Sequence, residues 1–251
     1  MKNKKNFFSV IIPTYNRPKT LLKSINSVLN QNFKNFEIIV VDDCSKLNSK
    51  INKKKIRYVK LRKNSGVSIS RNVGAKISKG KFLAFLDDDD KWPKDYLSKT
   101  FKKIQLTKKK IFLSKIKIRR KGKLELFKNS HSKLILNKLF LYNPGITGSN
   151  LVIEKKTFFK IGGYNKNLYV CEDKGLIIDV IIKKINNEIF VQRDNFIIYK
   201  QGSNSLSQKK NLIKSKLSLL KVYKKTIPTD VKLKIYLQIL LLFFINTFKK
   251  L

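Results

Sequence analysis

The stretch Asn64–Trp92 reads NSGVSISRNVGAKISKGKFLAFLDDDDKW, and its pattern decides the fold. We predict a helix over Val67–Lys79, with Gly80 placed where a C-cap glycine would end it. Lys81–Leu86 follows at once and predicts a buried strand that opens into the four carboxylates of Asp87–Asp90. A helix that leads directly into such a strand is typical of an α/β fold with a mainly parallel sheet.

Further apolar runs and helical patterns alternate on both sides of this stretch. The other predicted strands are Phe7–Ile12, Phe36–Val41, Ile56–Leu61, Ile111–Ile118, Gly148–Ile153 and Phe196–Tyr199, and the other predicted helices include Lys155–Ile161 and Glu172–Lys184. A helical pattern resumes at Leu212 and is interrupted at Pro228. We therefore predict one α/β domain over residues 1–207 and a C-terminal helical region over residues 208–251.

The composition limits the class of protein. The chain has 251 residues, of which 57 are Lys or Arg and 16 are Asp or Glu, so its formal net charge is +41. Lys, Asn, Ile and Phe share A/T-rich codons, so genomic base composition competes with anion binding as the cause of this excess. The two cysteines are too few for a disulfide framework and favour a reducing compartment. Met1–Asn6 does not resemble a signal peptide, so we expect a cytoplasmic protein.

Acidic residues follow two of the predicted strands, namely Asp42-Asp43 and Asp87–Asp90. Ligands of open α/β sheets bind at the carboxyl ends of the strands, and adjacent carboxylates repel one another unless a cation lies between them. Hard oxygen ligands favour Mg²⁺ or Mn²⁺. Neither a G-x-G-x-x-G nor a G-x-x-x-x-G-K-[ST] motif is present, so a metal that bridges the carboxylates to a diphosphate is the simplest arrangement.

A third acidic pair, Glu172-Asp173, opens a predicted helix. On the residues alone, a charge that complements the helix dipole explains this pair as well as a catalytic role does. His131 is the only histidine, which excludes a His-rich zinc site, and we expect it on the surface.

Four strings together resemble the family-2 glycosyltransferases of the GT-A type. They are SVIIPTYNR at Ser9–Arg17, FEIIVVDDCS at Phe36–Ser45, the stretch Asn64–Trp92, and GSNLVIEKKTFFKIGGYN followed by the ED pair at Gly148–Asp173. The resemblance extends over roughly residues 7 to 207, with the strings in the family's order. It implies a Rossmann-like, three-layer GT-A sandwich.

The resemblance also implies roles on the donor side of the site. Pro13, Tyr15 and Asp43 match positions that contact the nucleotide base, Tyr15 by stacking and Asp43 by accepting a hydrogen bond. Arg71 matches a position near the nucleotide.

The same resemblance implies the metal ligands and the catalytic base. Asp87 and Asp89 match the D-x-D element, which meets the ribose and the metal, and Asp90 is its usual acidic neighbour and a third expected ligand. Asp173 matches the general base, and Glu172, its neighbour in the ED pair, is an expected substrate-binding residue.

Two departures from the family pattern affect the acceptor side and the phosphate side. Gly175 and Leu176 replace an acidic residue and an aromatic residue that often follow the ED pair. The loop after the last strand carries Gln201 where many relatives have a histidine.

From these residues we expect a metal-dependent, inverting glycosyltransferase. Its donor is a nucleotide-diphospho-sugar, with a UDP-sugar favoured, and its acceptor is a glycan or a lipid-linked sugar. Two alternatives remain open at this point. One is a nucleotidyltransferase of related fold, for which a glycine-rich signature is missing. The other is a basic nucleic-acid-binding protein, although we find no aromatic-interleaved basic motif and expect no specific nucleic-acid partner.

The segment Ile235–Phe248 contains no charged residue, and lysines stand on both sides of it. As a helix it would be about 21 Å long, too short to cross a hydrocarbon core of about 30 Å. It either packs on the domain or lies in the interface of an anionic membrane, and its apolar composition favours the membrane. A peripheral position at the cytoplasmic face is therefore expected.

Overall fold

A computed structural model describes residues 6–47, 56–120, 123–127, 134–200 and 209–248. His131 and the loop of Gln201 lie outside the described residues. In this part of the chain, eight strands form one sheet. They are β1 (Phe8–Thr14), β2 (Phe36–Asp42), β3 (Ile56–Lys60), β4 (Phe82–Phe85), β5 (Ile111–Arg120), β6 (Lys123–Leu126), β7 (Leu151–Glu154) and β8 (Ile189–Tyr199).

Helices pack on both faces of the sheet. They are α1 (Pro18–Leu29), α2 (Val67–Ile77), α3 (Tyr96–Thr107), α4 (Leu136–Leu141), α5 (Lys155–Ile161), α6 (Glu172–Ile182), α7 (Lys209–Val222) and α8 (Thr229–Phe248). Among them, α3 and α4 were not predicted from the sequence. The helix α5 has the predicted bounds, and Pro18 occupies the first turn of α1, where its missing N–H costs no hydrogen bond.

The strands follow the order β3-β2-β1-β4-β7-β5-β6, and β8 pairs with β5. The first four run parallel to one another, and β8 is parallel to β5. Because β7 is antiparallel to both β4 and β5, the sheet changes direction beside β4. The predicted α/β fold with a mainly parallel sheet is confirmed, and the parallel half carries the acidic strand ends.

The central strand β1 is buried over its whole length. Its alternating side chains enter two separate cores: Val10 and Ile12 pack in one, and Ile11 packs in the other. A strand that is covered by helices on both faces appears as a continuous apolar run, which explains why no polar alternation marks it in the sequence.

The predicted role of Gly80 as the C-cap of α2 is wrong. The helix ends at Ile77, and Ser78 leaves it with extended backbone angles. Gly80 instead lies against β1, where an added Cβ would stand 2.6 Å from the backbone nitrogen of Ser9. Its missing side chain therefore permits close approach of two backbones rather than a left-handed turn.

The C-terminal helices share the core that lies under α6. Tyr223, Ile227, Val231 and Ile235 are buried there, and the hydroxyl of Tyr223 donates to Asp179 at 2.9 Å. The predicted boundary at residues 207 and 208 lies outside the described residues. Over the described ranges, no helix has the length and apolarity that a bilayer span requires.

Candidate active site

The acidic strand ends meet where β1, β2 and β4 finish. In the parallel half of the sheet, Thr14 and Asp42 end paired strands, and Asp87 follows β4 by two residues. Arg71 on α2 and the pair Glu172-Asp173 in the first turn of α6 lie at the same edge. One site therefore combines residues that lie up to about 160 positions apart in the sequence.

Arg71 is the centre of this site. Its guanidinium donates to Asp87 Oδ1 at 2.6 Å, to Glu172 Oε1 at 2.9 Å and to Asp173 Oδ1 at 2.9 Å. The residue is 2% exposed, although it carries a full positive charge. Three carboxylates from two distant segments are thus held by a single buried cation, and we call this group the Arg71 cluster.

The surroundings of Arg71 leave it little room to move. An added Cβ on Gly148 would stand 2.3 Å from its Nη2, so only glycine fits beside the guanidinium. The ring of Tyr164 lies on another side, with its centroid 5.0 Å from the guanidinium carbon. The Nε of Arg71 and the hydroxyl of Tyr164 are both buried and have no hydrogen-bond partner among the described residues.

The environment of Asp173 changes its acidity. Burial raises the pKa of Asp173 well above its usual range, and the nearby charges of Glu172 and Asp87 raise it further, whereas Arg71 acts in the opposite direction. Arg71 thus limits a shift that burial would otherwise make larger. A carboxylate with a raised pKa is a stronger base toward an alcohol near neutral pH, which is the property a general base requires.

The four carboxylates of Asp87–Asp90 differ in their sets of partners. Asp87 binds Arg71, Asp89 accepts from Arg17 at 2.9 Å, and Asp88 accepts from both Thr14 and Arg17. The side chains of Asp87 and Asp89 remain about a quarter exposed, at 26% and 27%. Burial raises the pKa of Asp88 to about 6.

Asp90 lies deepest in this turn and is fully buried. One of its oxygens accepts from Ser149 Oγ at 2.5 Å and the other from the backbone nitrogen of Lys200 at 2.9 Å. Burial raises the pKa of Asp90 well above its usual range. Its carboxylate thereby connects the turn after β4 to the segment before β7, through Ser149, and to the end of β8, through Lys200.

The predicted nucleotide side lies next to Asp43. Both oxygens of Asp43 accept backbone N–H groups, from Ser65 at 2.7 Å and from Gly66 at 2.8 Å, which fixes the loop before α2. Pro13 is buried in β1, whereas the ring of Tyr15 is 43% exposed and free to stack. The structure therefore gathers all of the predicted site residues along one edge, with Tyr15 at its rim.

Three residues of the site were missed in the sequence. Arg17 pairs with Asp88 and Asp89, Ser149 connects Asp90 to the backbone nitrogen of Asp87, and Tyr164 packs on Arg71. All three lie inside the strings that carry the family resemblance, so position within those strings was the available signal.

The departure at Gly175 and Leu176 has a packing cause. A Cβ on Gly175 would stand 2.0 Å from Leu168 Cδ1, and Leu176 is fully buried in the core under α6. Any larger side chain at the first position would require Leu168 to move. The departure at Gln201 lies outside the described residues.

A divalent metal is compatible with the donor set. Over the described ranges, no group of three or more His, Cys, Asp or Glu residues is arranged to hold one. Asp87 and Asp89 nevertheless offer two partly exposed hard-oxygen ligands, and Mg²⁺ commonly binds through one or two carboxylates together with substrate phosphates. The residues therefore fit a metal whose remaining ligands come from a diphosphate.

Sequence comparison assigns the family. Residues 9–165 match the model of glycosyl transferase family 2, so the chain belongs to that family. It is 31% identical over 180 residues to an uncharacterized glycosyltransferase of Haemophilus influenzae, which covers 69% of this chain and 61% of that relative. It is 45% identical over 91 residues to the poly(ribitol-phosphate) beta-N-acetylglucosaminyltransferase TarP of Staphylococcus aureus, which covers 33% of this chain and 28% of TarP. The chain thus spans less than two thirds of the length of either relative.

Comparison of structures supports the same fold. The crystal structure of residues 1–349 of S. aureus TarS in complex with UDP-GlcNAc superimposes with a TM-score of 0.65 at 23% identity. The match covers 93% of this chain and 71% of the TarS chain. The expected GT-A architecture is therefore confirmed.

We predict that Arg71→Gln destabilises the fold by about 3–5 kcal/mol at neutral pH, because it leaves buried carboxylates without their cation. Without Arg71 the pKa of Asp173 in the folded state rises further. Above this raised pKa the buried carboxylate is ionised without its cation, which lowers the stability of the fold. The loss of stability should therefore shrink as the pH falls through the raised pKa. Chemical denaturation at several pH values measures this dependence.

Arg17→Gln is the matched control, since Arg17 is 38% exposed and pairs with the neighbouring carboxylates. Because Arg17 is partly exposed, water can reach the place that its side chain leaves, and we expect a smaller loss of stability than in Arg71→Gln. Equal losses in the two variants at every pH would contradict the special role of the Arg71 cluster.

Proposed function

We propose that the protein is a metal-dependent, inverting glycosyltransferase that acts at the cytoplasmic face of the membrane. It transfers a sugar from a UDP-sugar to a glycan or a lipid-linked acceptor during the synthesis of a cell-surface polysaccharide. The observation that carries this proposal is the Arg71 cluster, because one buried cation joins the donor-side carboxylate Asp87 to the predicted base Asp173. Membership of glycosyl transferase family 2 favours this function over a nucleotidyltransferase or a nucleic-acid-binding protein.

The donor is proposed from the nucleotide side of the site. The exposed ring of Tyr15 offers a stacking surface for a base, and Asp43 holds the loop that would border it. TarS, a structural neighbour, binds UDP-GlcNAc in its crystal structure, which supports a UDP-sugar as donor. TarP is named for transfer to poly(ribitol-phosphate), which supports an acceptor that belongs to a surface polymer.

Asp87 and Asp89 would hold the metal, together with oxygens of the diphosphate. When bound, the metal supplies Lewis-acid stabilisation of the charge on the departing nucleoside diphosphate. Asp90, the third expected ligand, has both oxygens engaged by Ser149 and Lys200, so we assign it the task of fixing the turn on which Asp89 stands. Arg17, which donates to Asp89, would orient that carboxylate and add positive charge beside the diphosphate.

Asp173 would act as the general base. Its carboxylate takes the proton of the acceptor hydroxyl while that oxygen forms a bond to the anomeric carbon of the sugar. The bond from the same carbon to the diphosphate breaks, and its electron pair leaves with the nucleotide, so a single displacement inverts the anomeric centre. Arg71 holds the base in place and limits the rise of its pKa, so that enough of it is ionised at working pH.

Asp173→Asn should lower turnover by about 10²–10⁴-fold, the usual contribution of a positioned base, with the affinity for the donor nearly unchanged. In the unaltered enzyme, activity should fall as the pH is lowered through the raised pKa of Asp173. Single-turnover kinetics measure the turnover of the variant, and titration calorimetry with UDP measures its affinity for the nucleotide. Loss of UDP binding with normal turnover would show that Asp173 positions the donor instead.

Metal dependence and donor choice can be tested in one assay. UDP-, GDP- and dTDP-sugars are supplied with Mn²⁺, with Mg²⁺ or with a chelator, and release of the nucleoside diphosphate is measured. We expect release from a UDP-sugar that the chelator abolishes and that Asp89→Asn greatly reduces, because that variant removes a hard-oxygen ligand. Asp95→Asn is the matched control, since Asp95 is an exposed carboxylate paired with Lys99 outside the site. Full activity in the presence of the chelator would refute the proposed metal dependence.

A further inference from the structure

The helix α8 has one packed side and one exposed apolar side. Val231 and Ile235 are buried against the domain, and Gln238 accepts from Lys216 at 2.5 Å on the same side. From Tyr236 onward, the opposite side carries six large apolar side chains that are each between 51% and 64% exposed: Tyr236, Leu237, Leu240, Leu241, Phe243 and Phe244. We call these six residues the outer face of α8.

The outer face is broad and lacks charge. At 100° per residue its members cover roughly 160° of the helix circumference. No Asp, Glu, Lys or Arg occurs between Ile235 and Phe248. Contiguous exposed apolar surface on one helix is unusual for a soluble domain. It marks a site that binds either a membrane or the apolar surface of another protein.

Charge decides between the possible occupants. A second copy of the chain would bring together two molecules with a formal net charge of +41 each, and this repulsion opposes pairing through α8. An anionic membrane surface has the complementary charge. Lys232 and Lys234 flank the start of the outer face, and exposed lysines, Lys221, Lys224 and Lys225, stand where α7 turns into α8.

We infer that α8 is an interfacial anchor that lies in the plane of an anionic membrane. Its outer face enters the boundary between headgroups and acyl chains, and the lysines around its first turns contact the anionic headgroups. The packed side keeps the helix attached to the core under α6, so the whole domain is held at the surface. The inference extends the proposed function by naming the segment that binds the membrane, and it does not depend on the reaction catalysed.

The test uses the full chain and two doubly substituted variants. Leu240→Glu with Phe244→Glu places two charges on the outer face. Leu47→Glu with Leu106→Glu is the matched control, because these residues are 54% and 77% exposed elsewhere on the surface. Each protein is sedimented with vesicles of phosphatidylcholine alone and with vesicles that also contain phosphatidylglycerol.

The unaltered chain should bind the phosphatidylglycerol vesicles, more weakly at high salt and more weakly still when the anionic lipid is left out. The outer-face variant should show a partition coefficient about 100-fold lower, whereas the control should lose little. Release of UDP from the donor in solution should be the same in all three proteins, which separates this test from that of the proposed function. Absence of vesicle binding by the unaltered chain, or equal binding by the outer-face variant, would overturn the inference. So would an α8-dependent dimer in light scattering that does not bind vesicles.

Discussion

The rest of the site depends on one buried cation. Arg71 is almost inaccessible to water and holds three carboxylates within 2.9 Å. An unpaired charge in that position would be strongly destabilising, as would an unpaired group of carboxylates. The cation and the carboxylates therefore stabilise one another in the buried site. The consequence is geometric: the end of β4 and the start of α6 cannot separate without exposing a charge to an apolar core. Gly148 and Tyr164 complete the enclosure, because one removes a side chain and the other places a ring against the guanidinium.

The fold serves this arrangement by delivering polar groups to one edge. Strand β1 is buried along its whole length, so the polar side chains of the site come from the segments where β1 and its neighbours end. Asp43 fixes the loop before α2, and α2 in turn carries Arg71. Asp90 fixes the turn after β4 through Ser149 and Lys200. Arg71 and Asp87 are therefore positioned through separate buried carboxylates, and the guanidinium joins Asp87 to the pair Glu172-Asp173.

Local patterns in the sequence predicted the strands of the parallel half, the helix α5 and the acidic strand ends, because burial and helical periodicity leave marks within a few residues. The partners of Arg71 could not be derived in that way, since they lie 16, 101 and 102 positions away along the chain. The four successive Asp residues also look alike in the sequence. Only the fold distinguishes the partly exposed Asp89 from the fully buried Asp90. Gly80 was misassigned because close backbone approach and a left-handed cap both favour glycine.

A crystal structure of the protein with UDP and Mn²⁺ is the most direct test of the Arg71 cluster as the link between donor and base. We expect the diphosphate and the metal beside Asp87 and Asp89. Arg71 should remain within about 3.2 Å of the Asp173 carboxylate, which faces the diphosphate across an open space for the sugar. A diphosphate bound away from this edge of the sheet would contradict the account. So would an Asp173 turned away from both Arg71 and the nucleotide.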